Sequence, residues 1–355
     1  MSIVRPTLAD LHAYVPTPPR EGHRLHLNEA PEDLPADFKE QVARRLAALD
    51  WSRYPEETDA LCRELAAHDG WRADGVLVGN GSNEFLQAMV FAVVSPGDAV
   101  VFAAPSFSLY ATQARAAGAC IVDVPLRAGA GEPFRFDLER LVAAANDSQA
   151  KLILVATPNN PTGTLLSPPE VAALHDRTHA LVAIDEAYRH FAGQDLAPLL
   201  EGRERLALLR TFSKSYAAAA LRLGYLLAAP KLCVELHKLM MPYNLGALSA
   251  AVARELLRRD DLLEARVASI VAERRRVASA LAELPSLRVE EGGANFVVVE
   301  HESLLARALA ARLADRGVLV RDLSGYAGCE RCLRISIGLP VANDALVSAL
   351  VELAR

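Results

Sequence analysis

Residues 211–225 read TFSKSYAAAALRLGY, a stretch that places two cations among small and apolar residues. Apolar runs lead into it at Leu206 to Leu209 and out of it at Leu223 to Ala228, so the whole stretch is expected to be buried. Taking an unpaired ammonium out of water is costly unless the group pairs or loses its proton. Two interpretations stay open at this point: the stretch is less buried than its pattern suggests, or an anionic partner lies beside Lys214 and Arg222.

Short apolar runs alternate with helical patterns through the first two thirds of the chain. Four further strands are predicted, at Val76 to Val78, Ala99 to Ala103, Leu152 to Ala156 and Leu181 to Ile184. Helical patterns lie between them, at Glu84 to Val94, Tyr110 to Ala117 and Pro169 to Arg177. Strands that are apolar on both faces and alternate with helices predict an α/β protein with a mostly parallel sheet. Ligands of such sheets bind beyond the carboxyl ends of the strands.

The pattern changes after about Tyr243 and predicts a smaller α+β unit. One long charged helix is expected from Leu248 to Leu284. The elements expected after it are strands at 295–300, 319–322 and 332–336 and helices at 303–316 and from 341. We expect an N-terminal arm at 1–35 that contributes to the small domain, a large cofactor-binding domain at 36–245 and a small C-terminal domain at 246–355.

Composition and charge narrow the class of protein. The chain has 355 residues, of which 52% are hydrophobic and 23% charged, and its net charge is -6. A net negative charge argues against a nucleic-acid partner. No apolar run reaches the about 20 residues of a membrane helix, and the N-terminus shows no signal-peptide pattern. Five cysteines at unrelated spacings favour a reducing cytoplasm, and Cys329 and Cys332 lack the second pair that a zinc site needs.

Polar segments follow several of the predicted strands. Residues 79–84 (GNGSNE) combine glycines with a helix start, whose free N–H groups attract anions. Residues 157–163 (TPNNPTG) hold Asn160 in a loop fixed by two prolines. Residues 184–188 (IDEAY) end a strand in two acids, as a Walker B element does. The Gly-x4-Gly-Lys-Ser/Thr loop that a nucleotide hydrolase needs is missing from the sequence, which argues against that class.

Taken together, these segments supply a phosphate loop, an asparagine, an aspartate, a tyrosine, a serine, a lysine and an arginine. A buried lysine with a lowered pKa forms imines readily, and a buried aspartate suits a pyridinium nitrogen. This set matches pyridoxal 5′-phosphate.

The order of these motifs resembles the class II subgroup of the fold type I aminotransferases. The resemblance is carried by NNPTG at 159–163, DEAY at 185–188 and SK-x7-R-x-GY at 213–225, and it extends over nearly the whole chain. Within fold type I the sequence looks most like the histidinol-phosphate aminotransferases. The resemblance implies a large domain with a seven-stranded, mostly parallel sheet, a smaller α+β domain, and a homodimer with shared active sites.

The resemblance also implies a role for each matching residue. Lys214 is expected to hold the cofactor covalently, and Asp185 to pair with its ring nitrogen. Tyr188 and Asn160 are expected to hydrogen-bond the ring oxygen, and Tyr110 to stack on the ring. Lys214, Asp185 and Tyr188 are the expected catalytic residues. The expected phosphate ligands are Gly81, Ser82, Asn83, Ser213 and Arg222.

The expected substrate residues, beside Asn160, are two arginines and two tyrosines. Arg334 matches the family arginine that binds the substrate anion, since a guanidinium binds carboxylate or phosphate bidentately. Arg321, Tyr14 and Tyr54 match residues of the histidinol-phosphate enzymes. Whether Tyr54 and Arg321 act within one chain or from the partner subunit stays open at this point.

These matches imply transamination of L-histidinol phosphate with 2-oxoglutarate, giving imidazole-acetol phosphate and L-glutamate, in histidine biosynthesis in the cytoplasm. Two alternatives stay open, an aromatic amino acid aminotransferase and a lyase similar to threonine-phosphate decarboxylase. A cofactor-binding regulatory protein would need a DNA-binding segment, for which the sequence has no spare stretch.

Overall fold

A computed structural model gives the fold and describes residues 3–5, 8, 11, 21–127 and 131–353. The strands are β1 His23–Leu25, β2 Val76–Gly79, β3 Ala99–Ala104, β4 Cys120–Pro125, β5 Leu152–Ala156, β6 Leu181–Asp185, β7 Leu206–Thr211, β8 Gly224–Ala228, β9 Leu287–Glu290, β10 Phe296–His301, β11 Val318–Asp322 and β12 Cys332–Ser336. The helices are α1 Ala36–Ala47, α2 Thr58–His68, α3 Asn83–Val93, α4 Ser108–Ala116, α5 Leu138–Asp147, α6 Pro168–Asp176, α7 Arg189–Ala192, α8 Pro230–His237, α9 Ala247–Leu256, α10 Asp260–Ala282, α11 Ala306–Ala314 and α12 Pro340–Leu353.

A seven-stranded sheet with the order β2-β8-β7-β6-β5-β3-β4 forms the centre of the protein. Neighbouring strands from β7 to β4 run parallel, whereas β8 is antiparallel to both of its neighbours, β2 and β7. Apolar side chains cover both faces, and every residue of β5 is buried. The predicted fold class, with its mostly parallel seven-stranded sheet, is confirmed.

The second sheet has five strands in the order β1-β11-β12-β10-β9. Its strands contribute side chains to a second apolar cluster. β1, from the predicted arm, pairs in parallel with β11, and the other pairs in this sheet are antiparallel. The β11–β12 register sets Arg321 directly opposite Arg334. The expected boundaries at residues 35 and 245 stay a prediction.

The prediction of a single helix from Leu248 to Leu284 is wrong, because the structure divides this region into α9 and α10. Arg259 leaves the helical conformation, with φ −125° and ψ 54°. Asp260 and Asp261 then occupy the first turn of α10, where negative charge is favourable at a helix N-terminus. The charged pattern that suggested continuity therefore contains a helix start.

Across the described parts of the chain, none of the helices combines the length and the hydropathy that crossing a bilayer requires.

Candidate active site

Two adjoining cavities lie where β5, β6 and β7 end. The smaller one, about 290 Å³, is lined by Asp185, Ser213 and Arg222, among others. The larger one, about 740 Å³, is lined by Arg321 and Arg334, among others. Both cavities are lined by Leu27, Asn83, Phe107, Asn160, Tyr188 and Lys214. The fold thus brings polar residues from distant parts of the chain to one place, as open α/β sheets do at the carboxyl ends of their strands.

Lys214 lies in the connection between β7 and β8, at the junction of the two cavities. Its Nζ donates hydrogen bonds to the carbonyl oxygens of Asn28 (3.0 Å) and Leu27 (3.3 Å). Burial lowers the pKa of Lys214 to about 8, and the nearby positive charge of Arg334 acts in the same direction. Near neutral pH this amine is therefore neutral far more often than an ordinary lysine, which makes it a better nucleophile and base.

Asp185 is the last residue of β6 and lines the smaller cavity. One carboxylate oxygen accepts a hydrogen bond from the Tyr110 hydroxyl (2.8 Å), and the other accepts one from the backbone N–H of Ala187 (3.0 Å). Burial raises the pKa of Asp185. Tyr110 therefore lies beside the carboxylate expected to hold the ring nitrogen, and its stacking on a ring stays a prediction.

Tyr188 and Asn160 line both cavities. The Tyr188 hydroxyl accepts a hydrogen bond from the side-chain amide of Asn28 (2.9 Å), and burial raises the pKa of this tyrosine. Asn160 accepts a hydrogen bond from Arg334 Nη1 through its side-chain oxygen (2.6 Å). The two residues predicted to bind the ring oxygen thus stand beside Lys214 and beside a predicted substrate arginine.

The predicted phosphate ligands form a cradle at the start of α3. Gly81 has φ +79°, and a Cβ placed on it would come within 2.8 Å of Arg222 Nη2. A Cβ on Gly224 would collide with the backbone N of Ser82, so this approach requires glycine, while at Gly81 the positive φ favours glycine. Arg222 Nη1 also lies 3.5 Å from the Ser213 hydroxyl oxygen. Free N–H groups at a helix start and a guanidinium together suit a dianion.

Arg222 is exposed in this chain, whereas the apolar surroundings of the stretch at 211–225 predicted burial. It lies in the left-handed conformation (φ 50°) just after a short 3-10 helix, and this turns its side chain toward the cradle. The expectation of burial is therefore right for Lys214, which is partly buried, and wrong for Arg222.

The larger cavity is strongly cationic. Arg321, Arg334 and Lys214 line it, and no aspartate or glutamate is found among the described residues of its lining. Arg334 is further fixed by a hydrogen bond from Nη2 to the His26 carbonyl oxygen (2.8 Å). An anionic ligand is the natural complement of such a cavity.

Of the two tyrosines predicted to bind substrate, the structure describes only Tyr54. Tyr54 is 72% exposed and stacks on Tyr243, with ring centroids 4.2 Å apart. It lines neither cavity of its own chain. Tyr14 lies outside the described residues.

Sequence reasoning missed the segment that follows β1. The Asn28 amide binds Tyr188, its backbone N–H donates to the Ser336 hydroxyl (2.9 Å), and its carbonyl accepts from Lys214. His26 and Tyr326 line the larger cavity as well. The available signal was the polar HLNEA at 26–30, which a proline-rich surrounding concealed.

A buried ion-pair network lies behind the site and joins the segments that carry Asp185 and Lys214. Arg210, only 1% exposed, pairs with Glu186 (2.7 Å), Asp69 (2.8 Å) and Asp195 (2.7 Å). Glu186 directly follows Asp185, and Arg210 lies four residues before Lys214. The network thus fixes the ends of β6 and β7 relative to each other.

Comparison with known proteins agrees with the fold and the site. The family model for aminotransferase class I and II matches residues 21–350, and the chain belongs to this family. A histidinol-phosphate aminotransferase of Chlorobium phaeobacteroides is 35% identical over 351 residues, covering 98% of this chain and 96% of that protein. A histidinol-phosphate aminotransferase of Caldanaerobacter subterraneus subsp. tengcongensis is 33% identical over 332 residues, covering 93% of each chain.

The crystal structure of histidinol-phosphate aminotransferase from Sinorhizobium meliloti, in complex with pyridoxal-5′-phosphate, is similar over 100% of this chain and 98% of that one. Its TM-score is 0.89 at 26% identity. These findings confirm the resemblance to this group. The protein is a pyridoxal 5′-phosphate-dependent aminotransferase.

The residues around the smaller cavity fit this cofactor. A glycine-lined cradle with Arg222 suits its phosphate, the Asp185 carboxylate suits its ring nitrogen, and the Lys214 amine suits its aldehyde.

Proposed function

We propose that the protein transfers the amino group of L-histidinol phosphate to 2-oxoglutarate, yielding imidazole-acetol phosphate and L-glutamate, in histidine biosynthesis in the cytoplasm. One observation carries the proposal: the larger cavity opens on Lys214 with two arginines and no acidic side chain among its described lining residues. Histidinol phosphate presents a phosphate of roughly −1.5 to −2 charge, and 2-oxoglutarate presents carboxylates. The names of the relatives support the same substrate.

Each residue around the smaller cavity has its own proposed role in the reaction. When bound, pyridoxal 5′-phosphate supplies an aldehyde that takes up the amino group and a ring that stores the electron pair released with the Cα proton. Lys214 holds the cofactor at rest and, once freed, takes the proton from the substrate Cα. Asp185 keeps the ring nitrogen protonated, while Tyr188 and Asn160 hold the ring oxygen. Tyr110 is proposed to stack on the ring face.

Phosphate binding fixes the cofactor in place. The proposed ligands are Gly81, Ser82, Asn83, Ser213 and Arg222. By holding the phosphate, these residues would position the cofactor for Lys214 and so lower the entropic cost of the chemical step.

Anion binding orients the substrate above the cofactor. Arg334, positioned by Asn160, binds one anionic group, and Arg321, opposite it in the register, faces the same cavity. We propose that Tyr54, exposed in its own chain, reaches the site of a second copy in a homodimer, and that Tyr14 contributes a hydroxyl to the same site.

Competing amino donors test the proposal. With 2-oxoglutarate as acceptor, kcat/KM for histidinol phosphate is expected to exceed that for phenylalanine and for tyrosine by at least tenfold. A preference for a free aromatic amino acid would contradict it, as would CO₂ release from threonine phosphate.

A further inference from the structure

His26 lines the larger cavity, and the proposed reaction has so far assigned it no role. It is 6% exposed, follows β1 directly, and lines the cavity together with Arg321 and Arg334. Its carbonyl oxygen already accepts a hydrogen bond from Arg334 Nη2. The positive charges of Arg321 and Arg334 both act on the pKa of the imidazole, so the ring also lies near the arginine that is proposed to bind the substrate anion.

The two nitrogens of the His26 ring have different surroundings. Nδ1 is enclosed and has no hydrogen-bond partner, whereas Nε2 is not among the enclosed unpartnered atoms. Since the residue borders the cavity, Nε2 is the ring nitrogen left to meet a ligand. Nε2 makes no hydrogen bond with a described residue, so a ligand in the cavity can accept one from it.

The surrounding charges decide what that partner is. The charged groups facing His26 are Arg24, Glu29, Arg321 and Arg334. Burial lowers the pKa of His26, and the three arginines act in the same direction against Glu29. The ring is therefore neutral near pH 7 and carries one N–H. A neutral donor beside two arginines adds a hydrogen bond without adding a third mutually repelling cation.

We propose that His26, through Nε2–H, donates a hydrogen bond to the anionic end of the substrate and completes an anion site with Arg321 and Arg334. The substrate's identity rests on the proposed function, whereas the anion site rests on the position and charge of the residues that line the cavity. Phosphate and carboxylate oxygens share the required acceptor chemistry, so the test treats them separately.

The experiment measures binding of unreactive anions to the holoenzyme, in which the cofactor's own phosphate fills the cradle. Inorganic phosphate and glutarate, a dicarboxylate without a reactive carbonyl, are titrated calorimetrically into the wild type and into His26→Phe. Loss of one charged hydrogen bond is expected to raise Kd by about tenfold or more. A rise for phosphate, for glutarate or for both supports the proposal and identifies the anion that His26 binds. Unchanged Kd values for both anions would overturn it.

Two further variants separate recognition from structural damage. His26→Gln keeps an N–H donor and is expected to bind within about threefold of the wild type. His175→Phe changes a histidine that is also 6% exposed and also has an unpartnered ring nitrogen, but lines neither cavity, so its Kd values are expected to stay unchanged. If His26→Phe does not fold, His26→Ala removes the same donor with less bulk. Because no turnover is measured, a wild type inactive on histidinol phosphate would refute the proposed function and leave this result standing.

Discussion

Lys214 is the residue whose chemistry the surrounding structure adjusts most directly. Its amine is held by two backbone carbonyls, so the contacts that fix it carry no formal negative charge. Burial and Arg334 oppose protonation, and Glu29 opposes them in turn. The balance leaves an amine that can gain and lose a proton near neutral pH.

Replacing this amine should stop turnover. Lys214→Ala removes both the covalent anchor and the base, and general-base catalysis alone is worth roughly 10²–10⁴-fold. We expect kcat for transamination to fall at least a thousandfold, while absorbance of the dialysed protein shows that cofactor is still bound through the remaining contacts. Turnover close to the wild-type rate would contradict the assigned role.

The lowered pKa of Lys214 can be observed without any substrate. In cofactor-free protein, the pKa of about 8 lies below the ordinary value of 10.5, so the neutral and reactive form accumulates as pH rises through 8. Trace acetylation of Lys214, followed by mass spectrometry, should show a midpoint near pH 8. Arg334→Gln removes a positive neighbour and should move the midpoint upward. A midpoint at the ordinary lysine value would show that the amine is solvated.

The same shift has a consequence for stability, with a definite sign. Because the folded-state pKa is lower than the unfolded one, the unfolded chain binds more protons between pH 8 and 10.5. The Lys214 contribution to the free energy of unfolding therefore increases as pH rises through this window and is constant below it.

At the scale of elements, the ends of β6 and β7 are joined by the ion pairs of Arg210. Arg210→Met would leave the buried carboxylate of Glu186 without its cation, while Asp69 would keep its pair with Arg189. Because an uncompensated buried charge is costly, the free energy of unfolding is expected to fall by about 3–5 kcal/mol. Denaturant titration of the holoenzyme measures the loss. The matched control is Lys231→Met, which breaks an exposed pair with Glu204 and should cost less than about 1 kcal/mol. Equal effects of the two variants would mean that the network adds no stability.

Elements could be predicted where local sequence and tertiary surroundings agree. β5 is apolar and buried throughout, and β6 is apolar and buried up to its last residue, Asp185, so their pattern alone predicted them. β4 was missed because it is an edge strand whose side chains are mostly exposed or half-buried. β1 was missed because three residues carry no periodicity, and its partner β11 lies almost 300 positions further along the chain.

The residues of the site also differ in how far the local sequence could predict them. The placement of Lys214 and Asp185 in the cavity could be predicted because each lies at or just past the end of an apolar strand, while their roles stay a prediction. His26 and Asn28 could not, because their positions depend on the pairing of β1 with the small sheet. The exposure of Arg222 depends on a left-handed residue that no local signal indicates.

At the scale of the whole molecule, the exposed Tyr54–Tyr243 stack lies within three residues along the chain of Trp51 and Met241, each 73% exposed. Large exposed apolar groups of this kind mark interaction surfaces. A second copy of the chain is the proposed occupant, since Tyr54 would otherwise serve no site.

Mixed dimers test this assignment. Tyr54→Ala alone should raise KM for histidinol phosphate about tenfold, the value of one hydrogen bond to a charged group. When Tyr54→Ala and Lys214→Ala chains are unfolded together and refolded in equal amounts, hybrids carry one site with both native residues. About a quarter of the sites should then regain the wild-type KM. No recovery would place Tyr54 in the site of its own chain.

The carbonyls of Leu27 and Asn28 that hold Lys214 follow a strand of the five-stranded sheet, whereas Lys214 itself follows a strand of the seven-stranded one. The hydrogen bonds of the amine therefore depend on the distance between the two sheets. Any rocking motion that separated them would strip these carbonyls from the ammonium and admit solvent. The proton affinity of the amine would then report how far the enzyme has opened.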